Sequence, residues 1–172
     1  MATFRNVEEI KKDIIKKSES AIRVMQENVY QIINRFVKEY YSEYTPGDYH
    51  KQLQIDNDRL GKPTYASMYV YERTYQLYQS LVKSRVVRSG NGFKAEVYFD
   101  ADRLDYYFKL VNGEQVHNKG WSEEKTLESA AHGYHGGLIA GTAIWDEPIA
   151  ILDQQSNEML KRELIKAGIP LK

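Results

Sequence analysis

The sequence predicts an α+β fold in which a long N-terminal helix and a C-terminal helix pack on an antiparallel β-sheet with a central hairpin. Three observations predict it. Apolar residues recur at steps close to 3.6 from Val7 to Tyr40, strict alternation follows the turn Gly90-Asn91-Gly92, and a second helical stripe runs from Asp146 toward Gly168. At 172 residues the chain suits one domain, 1–172, with 1–44 as the long helix and 66–168 as the α+β core.

The first helix is expected to start at a capping box, Asn6 with Glu9 three residues on, and to carry Val7, Ile10, Ile14, Ile22, Met25, Val29, Ile32, Phe36 and Tyr40 on one stripe. Lysines 11, 12, 16 and 17 occupy the other face. A helix of about 37 residues is roughly 55 Å long, whereas a compact chain of this size has a radius of gyration near 16 Å. Part of it is expected to overhang its own domain, so either the helix kinks or another chain covers its stripe.

From Tyr41 to Ala66 the periodicity is lost, and Pro46-Gly47, Asn57, Gly61 and Pro63 supply breaker chemistry for a long connection. A short helical pattern follows at Tyr71, Thr74, Leu77, Tyr78 and Leu81. Strand signals take over from Leu81 to Arg88, then at Phe93, Ala95, Val97 and Phe99 against Lys94, Glu96, Tyr98 and Asp100, which reads as a hairpin with one face buried. Tyr106, Tyr107, Phe108, Leu110 and Val111 suit a further strand, broken at Asn112-Gly113. Ser122 can cap a short helix that opens with Glu123 and Glu124 and stops near Gly133. The four glycines between Gly133 and Gly141 read as a loop. The last helix starts near Asp146, tolerates Pro148 in its first turn, buries Ile149, Leu152, Met159, Leu160 and Leu164, and ends at Gly168 before Pro170.

Composition excludes several function classes. Lys and Arg total 24 and Asp and Glu total 24, so no net positive field draws the chain to polyanions or membrane surfaces. With no cysteine there is no disulfide, thiolate metal site or cysteine nucleophile, as in a reducing compartment. No apolar run spans a bilayer and the N-terminus has no signal-peptide pattern, so a soluble cytoplasmic protein is expected. The neutral total conceals blocks. Residues 1–38 carry +3, 39–58 carry −4, 59–94 carry +6, 96–158 carry −8 and 159–172 carry +3. Such blocks pair within the fold or, if they lie on different faces, between subunits in a head-to-tail ring. Tyrosine occurs 14 times, against 5 Phe and 2 Trp, and its apolar body with a polar tip suits half-buried and inter-chain surfaces.

Candidate chemistry is sparse. His132 and His135 are the metal candidates, but their glycine neighbours oppose a helix and no acidic third ligand stands close in sequence, so local hydrogen bonding is the simpler expectation. Asp100, Asp102 and Asp105 form an acidic cluster without an EF-hand continuation. No nucleophile elbow, Walker A motif or dinucleotide fingerprint is present. Arg59, Lys62, Arg73, Lys83, Arg85 and Arg88 interleave with tyrosines in a pattern that could hold single-stranded nucleic acid, although the same tyrosines serve equally as core or contact residues.

The runs Tyr41-Ser42-Glu43-Tyr44-Thr45-Pro46 and Tyr71-Glu72-Arg73-Thr74-Tyr75-Gln76-Leu77-Tyr78-Gln79-Ser80 resemble the "Y-x-P … Y-x-R-T-x-x-L-x-x-S" pattern of small head-tail connector, or tail-completion, neck proteins of long-tailed phages and prophages of Gram-positive bacteria. The similarity extends through the hairpin to His135-Gly136-Gly137, Trp145 and the terminal helix. In many members the Thr is followed by Gly, whereas here Tyr75 takes that place. The resemblance implies a non-enzymatic ring component at the portal-tail junction, with Thr74, Leu77 and Ser80 shaping a helix-to-strand transition and no catalytic residue or cofactor. It implies as partners further copies of the chain and neighbouring portal, connector or tail proteins, first in the host cytoplasm and then in the virion neck. Neither a membrane nor a nucleic-acid partner is expected. The alternatives are a single-strand nucleic-acid-binding module using Arg73, Arg85 and Arg88 with Tyr75 or Tyr78, and a small metal-dependent hydrolase using His132 and His135.

Overall fold

A computed structural model describes residues 6–43, 69–70, 75–104, 107–110, 115–117, 123–135 and 139–171. Helix α1 spans Val7–Glu43. Its start is the expected cap, with the Glu9 amide donating to Asn6 Oδ1 at 3.0 Å. The helix is continuous past Ser18 and Ala21, where the apolar stripe thins. Its buried residues begin only at Ala21 and continue through Ile33, Phe36, Val37 and Tyr40.

Strand β1 (Tyr69–Val70) is followed by a one-turn helix α2 (Gln76–Ser80) and strand β2 (Leu81–Lys83). The pattern at Tyr71, Thr74, Leu77, Tyr78 and Leu81 suggested one longer helix. Tyr71 and Thr74 lie outside the described residues, and Leu81, which ends the helical spacing and begins the expected strand signals, is extended with a φ of −70° and ψ of 114°. Its β-branched neighbour Val82 and the partner strand prevail over the helical spacing.

The expected hairpin is present. Strands β2, β3 (Val87–Ser89), β4 (Gly92–Lys94) and β5 (Val97–Phe99) make one antiparallel arm, with Leu81 facing Phe99, Lys83 facing Val97 and Arg88 facing Phe93. Gly90 takes a φ of +56° while Asn91 keeps a negative one, the pattern of a type II′ turn. Ser84 pairs with Glu96 and Val87 with Lys94, so Arg85 and Val86 together stand opposite Ala95. This β-bulge interrupts the arm without disturbing the alternation of its second strand, where Phe93, Ala95, Val97 and Phe99 are half-buried and Lys94, Glu96 and Tyr98 are exposed.

A 3₁₀ turn (Ala101–Arg103) leads to β6 (Tyr107–Leu110), which pairs with β1 and β7 (Gln115–His117) to make a small antiparallel sheet. Helix α3 (Glu123–Ala131) ends where expected, at Gly133 with a φ of +82°. Ser122 and Asn112-Gly113 lie outside the described residues. The Gly133–Gly141 stretch read as a loop, but its backbone forms a short hairpin, with β8 (Tyr134–His135) paired to β9 (Ile139–Ala140). Glycine content concealed it, because the residues on which the pairing rests are few and the alternation too short to register.

Helix α4 (Asp146–Lys166) stops in a Schellman motif, where Gly168 N donates to Ile165 O, Ile169 N donates to Leu164 O, and Gly168 holds a φ of +81°. Its first residues meet the hairpin arm, with Trp145 edge-on to Phe99 at 5.9 Å between ring centres. Most of its packing is against α1. Glu43, at the end of α1, accepts from the Thr142 amide through both oxygens at 3.0 and 2.9 Å and from the Thr142 hydroxyl. Gly168 lies beside Lys17. The two helices therefore run antiparallel, α4 covering α1 from its C-terminal end back to about Lys17.

The core lies where α1, α2, the base of the arm, α3 and the start of α4 converge on Ile33, Val37, Leu77, Leu81, Leu104, Ala130, Ile144 and Leu152. Ile33 and Val37 are almost wholly excluded from solvent, each contributing about 1.5–3 kcal/mol of burial.

Candidate functional site

Three elements enclose an apolar groove. Tyr98 and Phe99 come from β5, Leu127 and Ala131 from one face of α3, and Ile144 and Trp145 from the segment leading into α4. The i, i+4 spacing puts Leu127 and Ala131 one above the other. Phe99 is held by its pairing to Leu81, and Ile144 by its amide donating to Ala130 O at 3.1 Å. The groove has a volume near 250 Å³. Tyr98, 44% exposed, forms its outer wall.

The rim is acidic. Glu124 and Glu128 are exposed on α3 at the spacing that places them on the face of Leu127 and Ala131. Asp146 follows Trp145 directly, and its Oδ2 accepts from His132 Nδ1 at 2.6 Å, both side chains being more than half exposed. Glu147 is exposed, and its Oε1 accepts from the Ala143 amide at 3.0 Å. Below the rim, the Tyr134 carbonyl accepts from the hydroxyls of Tyr40 and Ser129, each at 3.2 Å. A Cβ on Gly133 would come within 2.3 Å of Gly141 O, so only glycine allows this close approach.

The sequence-predicted residues divide three ways. Trp145 lines the groove and His132 stands at its edge. Leu77 and Ser80 sit apart at the α2–β2 junction, where both are buried, Ser80 Oγ donates to Leu77 O at 2.7 Å, and Ser80 O accepts from the Asp100 amide at 2.8 Å. His135 has its backbone in β8 beside Ile139, while its side chain, together with Tyr71, Arg73, Thr74, Gly136 and Gly137, lies outside the described residues. Tyr75 precedes α2 with a φ of 56° and ψ of 13°, a left-handed conformation.

His132 is thus partnered by a carboxylate 14 residues away that sequence spacing did not indicate. Among the described residues no three His, Asp or Glu side chains are grouped to hold a metal ion. Of the acidic cluster, Asp100 caps the 3₁₀ turn by accepting from the Asp102 amide and pairs with Arg103 at 3.0 Å, while Asp105 lies outside the described residues. Arg85 and Arg88 are exposed on the arm, but Tyr75 stacks one ring face on Tyr41 at 5.3 Å and Tyr78 packs against the core. Among the described residues, no helix is long and apolar enough to cross a membrane. The groove itself was missed by sequence reading, although Leu127 and Ala131 at i, i+4 beside Trp145 were its available signal.

Scans of protein-family models, curated proteins and solved structures return no match to the chain.

Proposed function

We propose that the chain is a structural protein of a long-tailed phage or prophage, an oligomeric head-tail connector or tail-completion component acting without catalysis. The observation that carries this reading is the backbone at Tyr75. The resembled motif commonly has glycine after its Thr, and the residue at that position here adopts the left-handed conformation glycine favours, immediately before a single helical turn that passes into β2. A tyrosine in that geometry costs about 1–2 kcal/mol relative to a relaxed backbone, so the turn is held by its surroundings. Leu77 and Ser80, buried at the same junction, fit the motif's structural role. On this reading the partners are further copies of the chain and adjoining portal, connector or tail proteins, and the site of action is the virion neck.

Negative-stain electron microscopy and sedimentation of the purified chain, alone and with portal or tail-tube rings of the same phage, test the proposal. Ring-shaped particles, or one-sided decoration of a portal or tail ring, are expected. A chain that remains monomeric and binds neither ring overturns it.

A further inference from the structure

We infer that the N-terminal end of α1 from one copy seats in the groove of a second copy, giving a head-to-tail contact. This rests on the oligomeric reading above and names the surfaces that would make it.

The first surface is the part of α1 that α4 leaves uncovered. Ala21, on the stretch of α1 that α4 covers, is only 2% exposed. Beyond Gly168, where α4 has ended beside Lys17, the stripe through Ala21 continues toward the N-terminus as Ile14, Ile10 and Val7, which are 48%, 40% and 66% exposed. Their i, i+3, i+7 spacing makes one stripe on a helix end about 15 Å long. Lys11 borders it on one side, four residues after Val7, and Lys17 borders it on the other, three after Ile14, where it also pairs with Asp13 at 2.6 Å. Glu8 and Glu9 project from the far side of the helix by the same geometry.

The groove is the complementary surface. It is apolar within and bordered by Glu124, Glu128 and the His132–Asp146 pair, so a lysine-flanked aliphatic stripe matches it in polarity and meets the charges of Glu124 and Glu128, as in helix-in-groove recognition. Two stripes packed on each other would instead bring lysines of like charge together. The chain cannot fill its own groove. Trp145 and Ile144 lie at the Glu43 end of α1, and the helix from Ile10 to Tyr40 is about 45 Å long. Donor and acceptor surfaces at opposite ends of one molecule make a heterologous contact, which closes into a ring or propagates as a filament. So small a patch binds weakly in isolation, and closure, by holding each copy twice, raises its occupancy.

Because the chain has no cysteine, introduced thiols report the contact without background. Full-length Ile10→Cys and Tyr98→Cys, both changed at exposed positions, are mixed and oxidised, with circular dichroism as the control for folding. The crossed disulfide dimer is expected to exceed either self-dimer by about tenfold, and Glu124→Lys with Glu128→Lys in the Tyr98→Cys copy should suppress it. Adding Lys11→Glu to the Ile10→Cys copy should restore part of the yield. A statistical mixture of dimers, or a predominance of Ile10→Cys self-dimers, overturns the inference. The two proposals fail separately. Rings that form while the crossed dimer does not leave the connector reading standing and remove this interface. A crossed dimer from a chain that forms no rings and binds no portal or tail ring leaves the interface standing and removes the connector reading.

Discussion

Gln26 on α1 donates its side-chain amide to the carbonyl of Ser84 on the hairpin arm at 2.9 Å. The same nitrogen also donates to Glu96 O at 2.8 Å. The arrangement follows from the bulge. Ser84 Oγ, rather than Ser84 O, accepts from the Glu96 amide, which leaves the Ser84 carbonyl without a partner in the ladder until Gln26 supplies one. Replacing Gln26 with Leu leaves the partly buried Ser84 carbonyl without this partner, whereas Glu96 O keeps the Ser84 amide at 2.9 Å, and the change should destabilise the fold by about 1–3 kcal/mol. A lower urea midpoint with unchanged denaturant dependence is the expected result.

Two glycines with positive φ should respond very differently to alanine. At Gly133 the new Cβ would meet Gly141 O at 2.3 Å, a backbone atom that can move only by breaking the β8–β9 hairpin. At Gly90 nothing lies within 4 Å. Gly133→Ala should therefore cost about 2–5 kcal/mol, and Gly90→Ala only about 1 kcal/mol from backbone strain. Thermal unfolding of the pair side by side provides the comparison.

Tyr75 sets two terms against each other. Substitution by Gly relieves the left-handed strain, about 1–2 kcal/mol, and forfeits the stacking on Tyr41, about 0.5–1.5 kcal/mol, so Tyr75→Gly should be close to neutral. Tyr75→Val loses the stacking and retains the strain in a β-branched residue, and should be clearly less stable than either in equilibrium denaturation.

Acid should weaken the attachment of the arm to α1. Lys83, which bonds Glu27 at 2.5 Å and lies 4.6 Å from the centre of the Tyr30 ring, holds the Glu27 carboxyl below its ordinary value of 4.5, with Gln31 assisting. On α4, Lys166 and then Arg162 lower Glu163 in the same way. A carboxyl with a depressed folded pKa contributes its full stabilisation above the unfolded value and loses it as pH falls through the folded one, so the loss sets in near the ordinary value of 4.5 and continues below it. Glu27→Gln should be less stable than wild type at neutral pH by under about 1 kcal/mol, since the pair is solvent-exposed. The difference should shrink as pH falls below the ordinary carboxyl value and vanish once Glu27 is protonated in the folded protein, when unfolding curves of both proteins are compared.

The elements legible in the sequence were those whose signal is local. Asn6 and Glu9 form a cap, Gly90-Asn91-Gly92 a turn, Phe93 to Phe99 an alternation, and Gly168 with Pro170 a stop, and each places its element correctly. What escaped depends on residues distant in the chain. The bulge at Arg85-Val86 appears only when two registers are compared. The groove escaped for the same reason, since β5, α3 and the start of α4 meet only in the folded chain, as do His132 and Asp146.

The Schellman stop at Gly168 has a bearing on how such a molecule changes over evolution. Because α4 runs back along α1, each turn added to it would shield another 5.4 Å or so of the longer helix, and each turn removed would bare as much. A single glycine with a φ of +81° thus works as a gauge, setting how many aliphatic side chains remain on offer at the tip of α1 without any change in α1 itself. Moving that glycine is a small mutational step, and its effect would be to retune stickiness while the core stays as it is.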